Sequence, residues 1–139
     1  MLRFVVAYLV YWWGATHRYF GHRTGRLNEY EAAERYFSKA LEIEETLRMP
    51  RLGRGNLRWR EFNRPDEAIA DFNILLAADG QDQEALFGRA MAWQAKYDFE
   101  RALADLDAYL RMPQDEAYWD VAVRTATLIR ELLAEQEEG

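Results

Sequence analysis

Three alanines set the frame of this chain. Ala33, Ala68 and Ala102 stand 35 and 34 residues apart. Four residues after each comes Phe37, Phe72 or Leu106, and eight after each comes Leu41, Leu76 or Leu110. Positions i, i+4 and i+8 share one face of a helix. The alanine admits a neighbouring helix at close range, and the larger residue beside it fills the remaining space. One helix cannot bury such a stripe alone. Recurrence at this period therefore means a single structural unit used three times, each copy covering the next.

A second helix precedes each marker. Residues 14–24 contain Phe20-Gly21, residues 51–62 contain Leu52, Leu57, Trp59 and Phe62, and residues 83–96 contain Leu86, Ala90 and Trp93. Trp59 and Trp93 each stand nine residues before their marker. Short connectors separate the helices. Gly25-Arg26-Leu27-Asn28 offers a break and an Asn cap. Pro65 suits a helix start, and Asp79-Gly80 and Met112-Pro113 suit helix ends. No β-type alternation bounded by turn residues occurs. Residues 115–136 read as a last amphipathic helix, with Trp119, Val123, Leu128, Ile129 and Leu132 as its apolar side.

The pattern resembles the tetratricopeptide repeat (TPR) family. The resemblance covers about residues 14–116. It rests on Gly21, Tyr30, Ala33, Phe37 and Ala40 in the first unit, on Trp59, Ala68 and Phe72 in the second, and on Ala90, Trp93 and Ala102 in the third. Departures are Asn56 at a small-residue position, Leu75 and Tyr109 at another, and a helix-end proline only near Pro113. The resemblance implies an all-α, right-handed solenoid of helix-turn-helix repeats. The division it predicts is an apolar helical extension over 1–13, three repeats over 14–48, 49–82 and 83–116, and a C-terminal cap helix with an acidic tail over 117–139.

The resemblance also implies a function. In such arrays the first helix of each pair lines a concave groove that holds a protein or peptide. Counting back from the markers places Arg18, Tyr19, His22 and Arg26 in the groove from the first unit. It places Arg54, Leu57, Arg60 and Glu61 there from the second, and Phe87, Met91 and Gln94 from the third. Arginine clasps carboxylates in bidentate geometry, so the expected ligand is an acidic segment with apolar anchors. The family's clamp for a C-terminal carboxylate is not reproduced. Arg54 stands where that clamp has an asparagine, and Glu84 and Gly88 stand where it needs basic residues. The competing expectation is that these arginines merely pair with Glu29, Glu31 and Glu61.

Charge is unevenly divided. Residues 1–64 hold twelve basic and seven acidic side chains, net +5, and residues 65–139 hold six and seventeen, net −11. Such a split gives an elongated molecule a basic and an acidic end. It fits an acidic partner at the first half, a basic one at the second, or head-to-tail self-association. The run Arg48, Arg51, Arg54, Arg58 and Arg60 around Trp59 could grip a single strand. Trp59 falls on a core position of the repeat, however, and the net charge of −6 opposes broad phosphate affinity. A nucleic-acid partner therefore ranks below a protein.

Phe4 to Thr16 carries no charge. It is shorter than the about 20 apolar residues of a spanning helix, and it lacks the basic start and cleavage site of a signal peptide. An apolar helix must be covered by something. Three readings stand open: packing on the first repeat, a subunit contact, and peripheral membrane attachment. Either of the last two would dock through Phe4, Leu9, Tyr11, Trp12 and Trp13. The subunit contact covers both a homo-oligomer and a place in a larger, membrane-associated complex.

Signals for catalysis are absent. No cysteine exists, which removes disulfides, thiolate metal sites and cysteine nucleophiles. It fits a cytoplasmic setting. His17 and His22 are the only histidines, and their five-residue spacing turns them apart on a helix. Gly53-Arg54-Gly55 follows no strand and is too short for a dinucleotide fingerprint. No GxSxG elbow occurs. The carboxylates, including Asp105, Asp107, Glu44 and Glu45, are expected on exposed faces with ordinary acidity. The chain is therefore expected to be no enzyme and to need no cofactor or metal.

Overall fold

A computed structural model describes residues 1–139. It contains seven helices and no strand: α1 (Leu2–Thr24), α2 (Leu27–Ile43), α3 (Arg48–Arg60), α4 (Pro65–Ala78), α5 (Gln83–Ala95), α6 (Phe99–Leu110) and α7 (Trp119–Glu138). Each helix packs on the next in sequence, and α1, α3 and α5 also touch one another in turn. That is the layout of a helical-repeat solenoid: α1/α2, α3/α4 and α5/α6 are the three pairs, and α7 closes the end.

Turn chemistry explains the pairs. Each turn inside a pair contains one residue in the left-handed region: Gly25 at φ 68°, Asn63 at φ 50° and Tyr97 at φ 61°. Such a residue ends one helix and reverses the chain within a few positions. Asp82 and Asp98 cap α5 and α6 by accepting the amide hydrogens of Ala85 and Arg101. Asn28 makes no cap, because α2 begins one residue before it, at Leu27.

The core is a row of three clusters, each shared between neighbouring pairs. Tyr11, Tyr30, Ala33, Phe37 and Ala40 pack with Leu57 of the following pair. Ala68, Ile69, Phe72 and Leu75 pack with Leu52, Ala85 and Ala92. Ala102, Leu106 and Tyr109 join Phe87 and Met91 to Ala122, Ala126 and Ile129 of α7. All three marker alanines, with Phe37, Phe72 and Leu106, are fully buried.

Close approach at those large residues needs a missing side chain opposite. A methyl group at Gly53 would lie 2.9 Å from the Phe37 ring, and one at Gly88 only 2.5 Å from the Phe72 ring. Gly53 and Gly88 each follow their phenylalanine by sixteen residues, and Ala122 follows Leu106 by the same interval. The cap helix thus presents a small residue to the third unit as α3 and α5 do to the first two.

The bounds differ from expectation in two places. Residues 1–13 form no separate element but continue through Gly14 into α1. The last helix starts at Trp119 rather than 115. Asp115 holds the preceding turn by accepting the amide hydrogens of Ala117 and Tyr118 at 3.0 and 2.9 Å. On α7, Ala122, Ala126 and Ile129 are buried, whereas Val123 and Leu128 are about half exposed.

Candidate functional site

The first helices of the three pairs curve around a cleft of about 380 Å³. Arg18, Tyr19 and His22 reach it from α1, and Leu57 and Arg60 from α3. Met49, Leu52 and Asn56 add to the α3 side, Glu84 comes from α5, and Glu61 closes one edge. Tyr118 forms the far wall.

Electrostatics separate the arginines into two sets. Asp71 is buried and takes three of them. Arg54 grips it with two hydrogen bonds, of 3.0 and 2.7 Å, Arg58 donates at 3.1 Å, and Arg51 lies 3.6 Å away. Arg89 grips buried Asp105 in the same way, at 2.8 and 2.7 Å. Arg48 grips buried Asp82 at 2.8 Å through two nitrogens. Arg18 and Arg60 have no carboxylate within salt-bridge distance. The Arg18 guanidinium lies over the Phe37 ring at 5.4 Å and Arg60 over the Trp59 ring at 5.1 Å. Both groups can accept a new anionic partner without breaking an internal pair.

Several expected groove residues sit elsewhere. Arg54 faces α2 and α4, bonded to Ser38 and Asp71. Leu57 and Arg60, counted from the same marker on the same helix, do line the cleft, so the difference is one of angle: three positions before Leu57, Arg54 is turned about 60° around α3, toward α2 and α4. Arg54 in fact matches Arg89, the α5 arginine that holds Asp105. Arg26 is the exposed residue before α2 and lies outside the cleft. Phe87 is buried, its ring stacked on Tyr118 at 4.5 Å. Met91 and Gln94 line a separate shallow hollow with Trp59 and Tyr97. The third unit therefore adds little floor, and Tyr118 takes the place expected of Phe87. No repeat signal marks Tyr118, which belongs to the turn before the cap helix.

The expectation of exposed carboxylates fails at Asp105 and Glu44, which are buried and ion-paired. The Thr46 hydroxyl leads in holding the Glu44 carboxyl below the usual range, with burial opposing and Arg3 assisting. Burial pushes Asp82 upward, but Arg48 and the helix-cap amides outweigh it and leave its pKa lowered. Burial and the nearby Glu61 raise the Tyr30 phenol, with Arg60 opposing. His17 sits 2.7 Å from Glu29, and the Tyr30 hydroxyl sits 3.1 Å from His22. The arginine run around Trp59 does not form a free cationic face, since Arg48, Arg51, Arg54 and Arg58 are all paired internally.

On α1, Tyr11 is buried and its ring stacks on Phe37 at 5.6 Å. It is a core residue and not a docking one. Phe4, Leu9, Trp12 and Trp13 are 43%, 66%, 62% and 54% exposed. No helix is long and apolar enough to cross a membrane.

Two solved structures resemble the chain over nearly its whole length. The first TPR domain of Spaghetti (RPAP3), bound to the HSP90 peptide SRMEEVD, matches with a TM-score of 0.77 at 20% identity, covering 92% of this chain and 93% of that one. The first TPR domain of human RPAP3, solved by NMR, matches with a TM-score of 0.72 at 18% identity, covering 91% and 96%. No family model and no curated protein matches the sequence. The likeness shows the fold: this chain is an α-solenoid of TPR type.

Proposed function

We propose that the chain is a non-catalytic adaptor that holds an acidic, apolar-anchored segment of a partner protein in the cleft between α1 and α3. One observation carries the reading. Arg18 and Arg60 flank the apolar floor of Met49, Leu52 and Leu57 and have no internal carboxylate. Most of the other arginines at the helix packing faces have one. A ligand carboxylate supplies what the chain withholds, and side chains beside it fill the floor. The similar Spaghetti domain holds a peptide with three acidic side chains, SRMEEVD, which supports a peptide as the class of ligand. The reading differs from a C-terminal carboxylate clamp, because Glu84 lines the cleft where a cation would be needed and Arg54 is turned away.

The test is a labelled peptide array read by fluorescence anisotropy. Acidic peptides with Leu, Phe or Met anchors should bind better than their Glu→Gln versions. Arg18→Glu combined with Arg60→Glu should remove that preference, at a cost of at least about tenfold for two charge contacts. C-terminal amidation should change little. Equal binding of acidic and basic peptides would sink the reading.

A further inference from the structure

The outward face of α1 obeys a stricter period than core packing requires. Leu2, Val5 and Val6, then Leu9, Trp12 and Trp13, then Thr16, Tyr19 and Phe20 form three triplets, each seven residues after the last. These are positions a, d and e of successive heptads, the stripe that one helix offers to another. All nine are exposed, the eight apolar ones between 40% and 76%, and Tyr19, at the edge of the stripe, also borders the cleft. The opposite face, with Ala7, Tyr11, Gly14 and Gly21, is already buried in the solenoid. The stripe therefore adds nothing to the internal fold of the chain.

We infer that this stripe is the interface of a two-fold homodimer in which two α1 helices meet antiparallel. Area supports a dimer. At about 150–250 Å² for each aromatic side chain, the exposed shares of Trp12, Trp13, Tyr19 and Phe20 amount to roughly 450 Å². Adding Leu2, Val5, Val6 and Leu9 brings the face to the order of 800 Å², the share each partner gives to a standard interface. A patch of that size exceeds the roughly 300–600 Å² of the largest patch on a typical monomer.

Charge and shape select a second copy as the occupant. No charged side chain lies on the stripe between Leu2 and Phe20, so it can meet itself without repulsion. Arg3 pairs with Glu44, Arg18 turns into the cleft, and Arg23 lies beyond the last triplet. The first half of the stripe is aliphatic and the second half aromatic. Antiparallel pairing about residue 11 sets Leu2 near the partner's Phe20 and Leu9 near the partner's Trp13. Leucine thus meets an aromatic ring at the ends and near the middle of the seam, with Val6 opposite the partner's Thr16 between them. Parallel pairing would set tryptophan against tryptophan. A membrane-surface helix carries cations along both borders of its apolar face. Here the borders are Tyr8 and Ala15 on one side and Val10 and His17 on the other. The contact is isologous and closes at two copies.

Light scattering on the full chain across micromolar concentrations tests the inference. The wild type should show twice the 16.4 kDa chain mass. Leu9→Glu with Trp12→Glu should give the monomer mass at unchanged helical circular dichroism, since both residues are exposed. A dimer indifferent to that double substitution overturns the inference, and so does a monomeric wild type. Flotation with phosphatidylcholine–phosphatidylglycerol vesicles covers the rival occupant. A wild type that stays monomeric and floats through α1 makes the stripe a lipid face and overturns the dimer.

Discussion

At the scale of single residues, the packing turns on what is left out. Phe72 is fully buried because Gly55 and Gly88, on two different helices, leave room for its ring. Alanine is normally the better residue inside a helix by about 0.5–1 kcal/mol. At Gly88 that gain is reversed, since the new methyl would sit 2.5 Å from a fully buried aromatic ring. Overpacking of this kind costs about 1–3 kcal/mol. Gly88→Ala should therefore lower the midpoint of urea unfolding. Gly80→Ala, whose nearest atom is 3.9 Å away, should leave it unchanged or raise it slightly. A stabilised Gly88→Ala would show that the α4–α5 contact is looser than described.

At the scale of elements, α1 decides how the array begins. Ala7 and Tyr11 are buried on α2, and Tyr11 stacks on the Phe37 ring, which also packs beneath Gly14 and Gly53. A chain shortened to start at Gly14 loses that cover and leaves Phe37 exposed on one side. Truncation of a buried aromatic costs about 3–5 kcal/mol, so Tyr11→Ala alone should lower the thermal unfolding midpoint by about 10 °C or more. The shortened chain should lose helicity well beyond thirteen residues, measured by circular dichroism. A truncation as stable as the full chain would make the first half of α1 an appendage.

Much of this element order was legible in the sequence. The marker alanines and their i+4 partners identified α2, α4 and α6, because each must bury the same stripe. Pro65 and Gly25 gave two boundaries for direct steric reasons. The first helices were harder, since a count from the marker fixes a position along the helix but not which neighbour its flank meets. On α3 the count that puts Leu57 and Arg60 in the cleft fails for Arg54, whose angle around the helix turns it to Asp71. Tyr11 and Trp12 adjoin in an unbroken apolar run, and nothing local says which one faces α2. The buried state of Asp105 and Glu44 was hidden likewise, because each is stabilised by an arginine distant in sequence. Tyr118 could not be placed from the repeat at all, since it belongs to no unit.

At the scale of the whole molecule, the array is polarised. The cleft residues come mostly from α1 and α3, inside the half that carries net +5, while the half beyond residue 64 carries net −11. An acidic peptide approaching end-on meets repulsion from α6 and α7 and attraction from α1 and α3. The field therefore guides it toward one end before any contact forms. Such guidance acts on the association rate and fades with salt, because the Debye length shrinks to about 8 Å at physiological ionic strength. In the proposed adaptor, direct clasping by Arg18 and Arg60 would act instead on the dissociation rate. For an acidic peptide bound in the cleft, raising salt from about 20 to about 200 mM should slow association about tenfold and change dissociation far less. Stopped-flow anisotropy separates the two rates. Reversing charges on the α7 tail, with Glu135→Lys and Glu138→Lys, should speed association at low salt and leave dissociation unchanged. If salt acted on dissociation alone, the charge asymmetry would play no part in binding. Recognition would then rest on the two arginines within the cleft.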